Sequence, residues 1–448
     1  MATDLHAAHY LRSIGADRLH DDGVTGAGVG IALIDTGVTE VPGLAGRIGR
    51  GINLSGVGAA DATHDPYAHG THLAGLIAGI RNDGDYGPFE GGVAPGATLH
   101  PIKVAAPDGS TDVAHVIAAI QWAVAHRDGL GIRVINLSFG TDSPLDWAVD
   151  PLNYAVPRAW ESGVVVVVAA GNEGPGASTI SKPGDDPYVL TVGASRTGAT
   201  GDSADDDVES LSSSGPVLGL FKPDVVAPGQ MLASYLVEDS FISRTWLQER
   251  DPSLPPDFAH ATGTSFAAGL VSGGVALLLQ AHEDWGPDEV KAALTATATR
   301  LRGDVSPYRQ GHGLIDVAAA ARLHLDVERS DRPARHLERP SLADLRRTRG
   351  SLEVAVFEPR DEGRDEEYGV VGSDEGKPDL FDASRLLDDG WTPEGWQELW
   401  GPAGSRLKPT HWIGHSWNHE SWDGFRWRGT HWVGFRWRGH RWWGFRWR

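Results

Sequence analysis

The chain has 448 residues and a mass of 47.8 kDa, enough for one large core and room for two or three units. Its 60 acidic and 39 basic residues leave a net charge of −21, which argues against a protein that coats nucleic acid or other polyanions. With no cysteine there is no disulfide framework, thiolate metal site or cysteine nucleophile, so any nucleophile must be an oxygen or a nitrogen.

In chain order, the opening Met1 to His6 lacks the basic patch and apolar run of a secretory signal. A cytoplasmic location is expected for the chain as written, and a secreted or envelope-associated one if the true start lies elsewhere. From Val29 to about Leu323, short β-branched runs alternate with longer amphipathic ones, the βαβ rhythm of a parallel sheet covered by helices. Strands are expected at Val29–Ile34, Thr98–Val104, Val134–Leu137, Val164–Ala169, Tyr188–Val192 and Asp224–Ala227. Thr111–His126 is expected as a helix because Val113, Val116, Ile117, Ile120, Ala123 and Val124 fall at helical spacing. Pro287–Thr297, which opens Pro-Asp-Glu, is expected as another. The uncharged stretch Gly263–Gln280 approaches a bilayer-spanning length, but its glycines, Thr264, Ser265 and Ser272 predict a helix buried in a soluble core.

Beyond Asp326 Arg, Asp, Glu and Pro dominate, and Asp361–Glu367 carries nothing that builds a core. The reading is a catalytic-size unit over 1–325, a charged, largely disordered linker over 326–404 and a Trp/Arg-rich tail over 405–448. In that tail eight Trp recur every five residues from Trp412 to Trp447. From His411 on, seven Arg stand against Glu420 and Asp423, so the segment is +5, while the remaining 32 bases and 58 acids leave −26. Three readings stay open for it: a disordered sticky tail, an aromatic and cationic surface for cell envelope, anionic surface or protein partner, and a thin β-solenoid.

Three short motifs carry chemistry: Ile34-Asp35-Thr36-Gly37, His69-Gly70-Thr71-His72 and Gly263-Thr264-Ser265-Phe266-Ala267. Asp35 ends an apolar strand, so its carboxylate falls at the carboxyl edge of the sheet, where open α/β folds bind ligands. His69 opens the helical run His69–Gly79, and Ser265 opens Thr264–His282. A hydroxyl at a helix N-terminus gains from the dipole as negative charge develops, and its own N–H can donate to that charge. A fourth element, Val164–Ala170 followed by Gly171-Asn172-Glu173-Gly174, places Asn172 where a neutral amide can stabilise an oxyanion without neutralising Asp35. Taken singly these are a turn and helix caps; taken together they point to acyl transfer. His72 reads as a helix-face residue beside the site, since no nearby Glu completes a zinc-site pattern, and His64 and His312 as surface or loop histidines.

The order Asp, His, Ser with these neighbours resembles the subtilisin-like serine peptidases, the subtilases, over roughly residues 22–324. Gly92–Gly96, Ile102–Val104, Asn136–Gly140, Lys222–Gly229 and Gly311–Gly313 match further landmarks of that family. The resemblance implies a three-layer subtilisin-like α/β fold with a mostly parallel central sheet. It implies that Asp35 orients His69, that His69 takes the proton of the nucleophile Ser265, and that Asn172 with the Ser265 N–H forms the oxyanion hole. It implies that Ser138, Phe139 and Gly140 present an edge to an extended polypeptide substrate, with Ala170 and Gly171 lining the neighbouring pocket and Phe139 favouring apolar side chains.

The sequence departs from that pattern in places. Gly269 stands where the family has a proline, only 34 residues precede Asp35 so that no inhibitory prodomain is expected, and Leu232–Ala261, with Pro252, Pro255 and Pro256, is expected as an extra surface loop near the cleft. No cofactor is expected. No Asp/Asn run matches a calcium loop, although Asp202–Asp207 is acidic enough for a structural calcium to be considered. A maturation peptidase for one precursor and a catalytically idle peptide- or glycan-binding protein are the alternatives to a serine endopeptidase.

Overall fold

The computed structural model describes residues 9–57, 64–81, 89–111, 113–141, 150–196, 206–217, 222–245, 254–302 and 305–323, together with four short strands between 426 and 443. The expected linker 326–404 and residues 202–205 of the acidic run lie outside the described residues.

Two short helices, α1 (Tyr10–Ser13) and α2 (Ala16–Asp21), lead into β1 (Gly30–Asp35) and β2 (Ile52–Asn53). Helix α3 (His69–Ala78) is followed by β3 (Thr98–Lys103), the two-residue β4 (Ser110–Thr111), α4 (Val113–Leu130) and β5 (Ile132–Leu137). Next come α5 (Pro151–Glu161), β6 (Val165–Ala169), β7 (Leu190–Arg196), β8 (Asp207–Val208) and β9 (Val225–Pro228). A ribbon of β10 (Leu232–Tyr235) and β11 (Phe258–Ala261) encloses α6 (Phe241–Thr245). Helices α7 (Thr264–Ala281), α8 (Pro287–Thr297), α9 (Pro307–Gln310) and α10 (Val317–Ala321) complete the unit, and the tail holds β12 (Arg426–Arg428), β13 (His431–Val433), β14 (Arg436–Arg438) and β15 (Arg441–Trp443).

The main sheet runs β2-β3-β1-β5-β6-β7-β8, with β9 also paired to β7, and every pairing except β7 with β8 is parallel. All six residues of β1 and all five of β6 are buried. Successive side chains of a strand point to opposite faces, so both faces of the sheet are covered and the unit has three layers. Helices α3 and α7 pack on each other, and α7 on β5, β6 and β7, while α4 packs with α5 and against β5. Helix α7 is apolar all round because it is a core helix: Thr264 to Leu279 are all buried. The expectation of a buried rather than membrane-spanning Gly263–Gln280 follows that burial.

Four local readings differ from the expectations. Tyr188 is outside β7, because its N–H donates to Asp186 Oδ1 at 2.9 Å in a turn; the strand begins at Leu190, and pairing with β9 and then with β8 carries it past Val192 to Arg196. Thr111 belongs to β4, its hydroxyl donating to Val104 O, so α4 starts at Val113, and it runs on to Leu130 before Gly131 at φ +64°. Helix α5 has no counterpart among the expectations: Asp150, whose carboxylate accepts from Leu152 N at 2.9 Å, with Pro151 after it is a start signal, but Pro157 inside reads as a breaker. The supposed surface loop Leu232–Ala261 is a buried ribbon at both ends, with Tyr235 packed on Phe89 and Phe258 at ring distances of 5.2 and 4.9 Å. Its prolines lie in the connection between the strands and mask the two apolar runs. The departure at Gly269 also has a packing reason, since a Cβ there would stand 2.8 Å from Leu73 Cδ2 of α3.

A buried ion cluster ties β7, β9 and α8 together. Lys222 Nζ donates to Asp224 Oδ2 at 2.7 Å, Thr191 Oγ1 at 2.9 Å and Val189 O at 3.0 Å, and Lys291 Nζ lies 3.0 Å from Asp224 Oδ1. Burial pushes the Lys222 ammonium down to about 8 against the pull of Asp224. Burial raises the Asp224 carboxyl, but Lys222 and Lys291 together outweigh it and hold the group below the usual carboxylate range. A carboxylate depressed in this way contributes stability above its unfolded value of about 4 and loses it as pH falls further. The urea midpoint is therefore expected to drop below about pH 4. Replacing Lys222 by Met leaves the carboxylate buried with one cation fewer, an expected loss of about 3 kcal/mol in urea unfolding at pH 7.

Candidate active site

Asp35 is the last residue of β1 and is fully buried. Its Oδ1 accepts from Thr36 N at 2.8 Å, from Thr36 Oγ1 at 3.2 Å and from His69 Nδ1 at 2.7 Å. Donation from Nδ1 selects the tautomer whose Nε2 carries the lone pair. His69 is the first residue of α3, and the chain enters that helix through Ala68 at φ +93°, a left-handed value unusual for a residue with a Cβ. Asp65 pins this entry: its Oδ1 accepts from Tyr67 N and Ala68 N at 3.0 and 2.8 Å, and its Oδ2 from Thr71 N and Thr71 Oγ1, both at 2.8 Å. Gly70 has a steric reason of its own, since a Cβ would overlap Gly37 O and lie 3.1 Å from Asp35 Oδ1. The His-Gly pair is thus the local condition for bringing α3 against the end of β1.

Ser265 stands in the first turn of α7, fully buried, its Oγ 3.5 Å from Ser138 O. The next residue, Phe266, sets its ring 5.4 Å from that of His69 and 4.9 Å from that of His72. The turn is stitched to the two strands beside it. Asn136 Nδ2 donates to Ser138 Oγ at 3.0 Å, and Ser272 Oγ to Asn136 Oδ1 at 2.9 Å. On the other side Gly171 N donates to Thr264 Oγ1 at 3.2 Å. Thr264 also decides the orientation of Asn172, whose Oδ1 accepts from Thr264 N at 2.9 Å and Thr264 Oγ1 at 3.0 Å. Asn172 Nδ2, on the opposite end of the amide, is buried and has no hydrogen-bond partner among the described residues. A buried donor left unsatisfied costs about 1–3 kcal/mol, and such groups are rare enough in folded proteins to call for a functional reason.

The profile of the subtilase family matches residues 26–313. The chain belongs to the subtilase family. It is similar to serine protease AprX of Bacillus subtilis (strain 168), 37% identical over 308 residues that make up 65% of this chain and 66% of that protein. Subtilisin BL of Lederbergia lenta is 34% identical over 307 residues, 68% of this chain and 96% of its own. Among solved structures, fervidolysin from Fervidobacterium pennivorans, a keratinolytic enzyme related to subtilisin, superposes with a TM-score of 0.56 at 29% identity, over 71% of this chain and 46% of its own. The matched part thus spans just under two thirds of AprX and less than half of fervidolysin.

In this subtilase Asp35 and His69 meet directly, Ser265 and His69 come to the same sheet edge through Phe266, and Asn172 is held at the Ser265 turn. Ser138, Phe139 and Gly140 follow β5 immediately, and Ala170 and Gly171 follow β6, the neighbouring parallel strand. Gly171 is at φ +104°, where a Cβ would collide with Ser181 Oγ. His72 is buried within α3, one turn from His69, and burial and then the His69 and His260 rings push its pKa well below the ordinary value. His64 and His312 are exposed. No motif marks Asp65, which pins the His69 turn, or the role of Thr264, which aims Asn172. Their only local signals are an acid four residues ahead of a helix start and a hydroxyl beside the nucleophile. Among the described residues no group of three or more His, Asp and Glu side chains is arranged to hold a metal ion.

Proposed function

We propose that this subtilase is a serine endopeptidase working through an Asp35–His69–Ser265 triad. The observation that carries the reading is the buried Asn172 Nδ2, an amide donor with no partner until a substrate oxygen develops negative charge beside it. Ser265 Oγ attacks the peptide carbonyl while His69 Nε2 takes its proton, and Asp35 steadies the imidazolium through Nδ1. The oxyanion accepts from Asn172 Nδ2 and from the Ser265 N–H, which lies in the first turn of α7, where helix N–H groups have no intrahelical acceptor. Collapse of that intermediate passes the proton from His69 to the leaving amine, and water then hydrolyses the acyl-enzyme by the same sequence. Ser138, Phe139 and Gly140 serve as the edge for an extended substrate, with Ala170 and Gly171 beside them.

The division into a peptidase unit over 1–325, a charged linker over 326–404 and a tail over 405–448 is part of this proposal. It is supported by the last described helix of the unit, which ends at Ala321, and by the composition change that follows. Labelling with a fluorophosphonate probe tests the reading: modification is expected on Ser265, and an intact chain that stays unlabelled speaks for an idle binding protein. Asn172→Ala is expected to lower kcat about 10²–10³-fold with little change in KM, read on a chromogenic peptide. A loss in KM alone would place Asn172 in substrate binding instead.

A further inference from the structure

Strand β4 has two edges. One is closed by its own turn: Ala105 bridges Thr111, and Ala106 N donates to Ser110 O at 2.7 Å. That bond turns the backbone groups of Ser110 toward the turn and, one residue on, those of Thr111 outward. The outer edge is taken by the tail. Strand β13 pairs antiparallel with β4, Trp432 opposite Thr111 and Val433 opposite Ser110, and β12 pairs with β13 in turn.

This edge adjoins the site. Gly109, just before β4, lies at φ +83°, where a Cβ would stand 2.6 Å from the Tyr67 ring, two residues ahead of His69. Burial and then the carboxylates of Asp108, Asp65 and Asp35 act on the Tyr67 hydroxyl, so the residue beneath β4 is within electrostatic reach of the triad carboxylate. The site is also covered: His69 is 1% exposed, Ser265 0%, Ser138 0% and Phe139 3%. A peptide carbonyl must come within about 3–3.5 Å of the nucleophile, so a chain segment held beside these residues competes for the space a polypeptide needs.

The tail suits that role. Its +5 faces a remainder of −26. Its five-residue period equals a three-residue strand plus a two-residue connection, which sets Trp427 opposite Trp432 and Trp437 opposite Trp442 as hairpin partners, not as rungs of a solenoid. As part of the same chain the hairpin is taken to act at an effective concentration on the order of 1 mM. A strand that binds alone with a Kd of about 0.1 mM then keeps about ten molecules closed for each one open.

We propose that the hairpin Arg426–Val433 is an intramolecular occupant of the outer edge of β4, where it restrains polypeptides from reaching Ser265; the restraint rests on the peptidase reading above. The test uses the full chain and two variants. Trp432→Pro removes the N–H opposite Thr111, and Trp442→Pro makes the same change in the second hairpin, which does not pair with β4. Casein hydrolysis per fluorophosphonate-labelled site is expected to rise about tenfold in Trp432→Pro and not in Trp442→Pro. A synthetic peptide of residues 424–435 is expected to bring the Trp432→Pro rate back down, and the Thr111 amide to lose hydrogen-exchange protection in that variant alone. Equal rates and equal Thr111 protection in all three proteins overturn the proposal, as does a rise of the same size in Trp442→Pro. If no form labels, the peptidase reading falls, while exchange at Thr111 still decides whether the hairpin docks.

Discussion

Ser265→Ala is expected to lower kcat on peptides about 10⁶-fold, the magnitude known for the same change in a subtilisin, with the fold unchanged. The size follows from what is removed. Without Oγ there is no acyl-enzyme, and His69 has no proton to accept from the protein; what survives is the oxyanion donor and substrate binding, which alone leave a small acceleration over water. The fold has little to lose, because the hydroxyl makes one long contact, 3.5 Å to Ser138 O, whereas the helix start is held by Thr264 on Asn172, by Ser138 Oγ donating to Ser265 O and by Ser272 on Asn136. Initial rates on casein, fluorophosphonate labelling and the urea midpoint together check this. A variant that still cleaves casein at the parent rate places the nucleophile elsewhere, and one that unfolds makes Ser265 a structural residue.

Asp35→Asn is the second large effect, an expected loss of about 10⁴-fold in kcat with KM nearly unchanged. Asp35 Oδ1 accepts from three donors, Thr36 N, Thr36 Oγ1 and His69 Nδ1. In the amide one end must present hydrogens. With the NH₂ group at the Oδ1 position both Thr36 bonds are lost and Nδ1 is forced to accept, so the proton moves to Nε2 and the imidazole no longer serves as a base toward Ser265; with the oxygen there, His69 keeps its bond but to a neutral acceptor. The imidazolium formed during attack also loses its counter-charge in a fully buried setting. Steady-state rates on a chromogenic peptide give the magnitude, and the NMR shifts of the His69 ring nitrogens report the tautomer. A loss of less than tenfold, or a change confined to KM, would mean that Asp35 does not orient the base.

Much of the catalytic unit was readable without coordinates, for identifiable reasons. The run Val164–Ala169 announces a strand covered on both faces because only a central parallel strand is apolar at every position. Asp35 falls at a strand end, and His69 and Ser265 at helix starts, because the periodicity changes beside each of them. These are local signals, set by neighbours a few positions away. The misreadings were local as well: Pro157 concealed a helix whose amphipathic face is held by tertiary packing, and the prolines between β10 and β11 concealed a ribbon whose strands pair across more than twenty residues.

Hydrophobic period, caps and charge act over one or two turns of chain, so the elements, the order of the reactive side chains and the polarity of the molecule are written locally. Which atom each reactive side chain presents depends instead on contacts made after folding. Asn172 leaves Nδ2 unsatisfied because Thr264, 92 positions away, occupies Oδ1. His69 faces Asp35 because Gly70 lets α3 approach Gly37, and because Asp65 holds the chain through the left-handed Ala68. Strand β4 meets β13 only because a sheet edge is completed by backbone groups, which any chain can supply and no motif announces. Side-chain orientation and edge pairing are settled by contacts between segments far apart in the chain, each stabilised only once the sheet has brought the others into place.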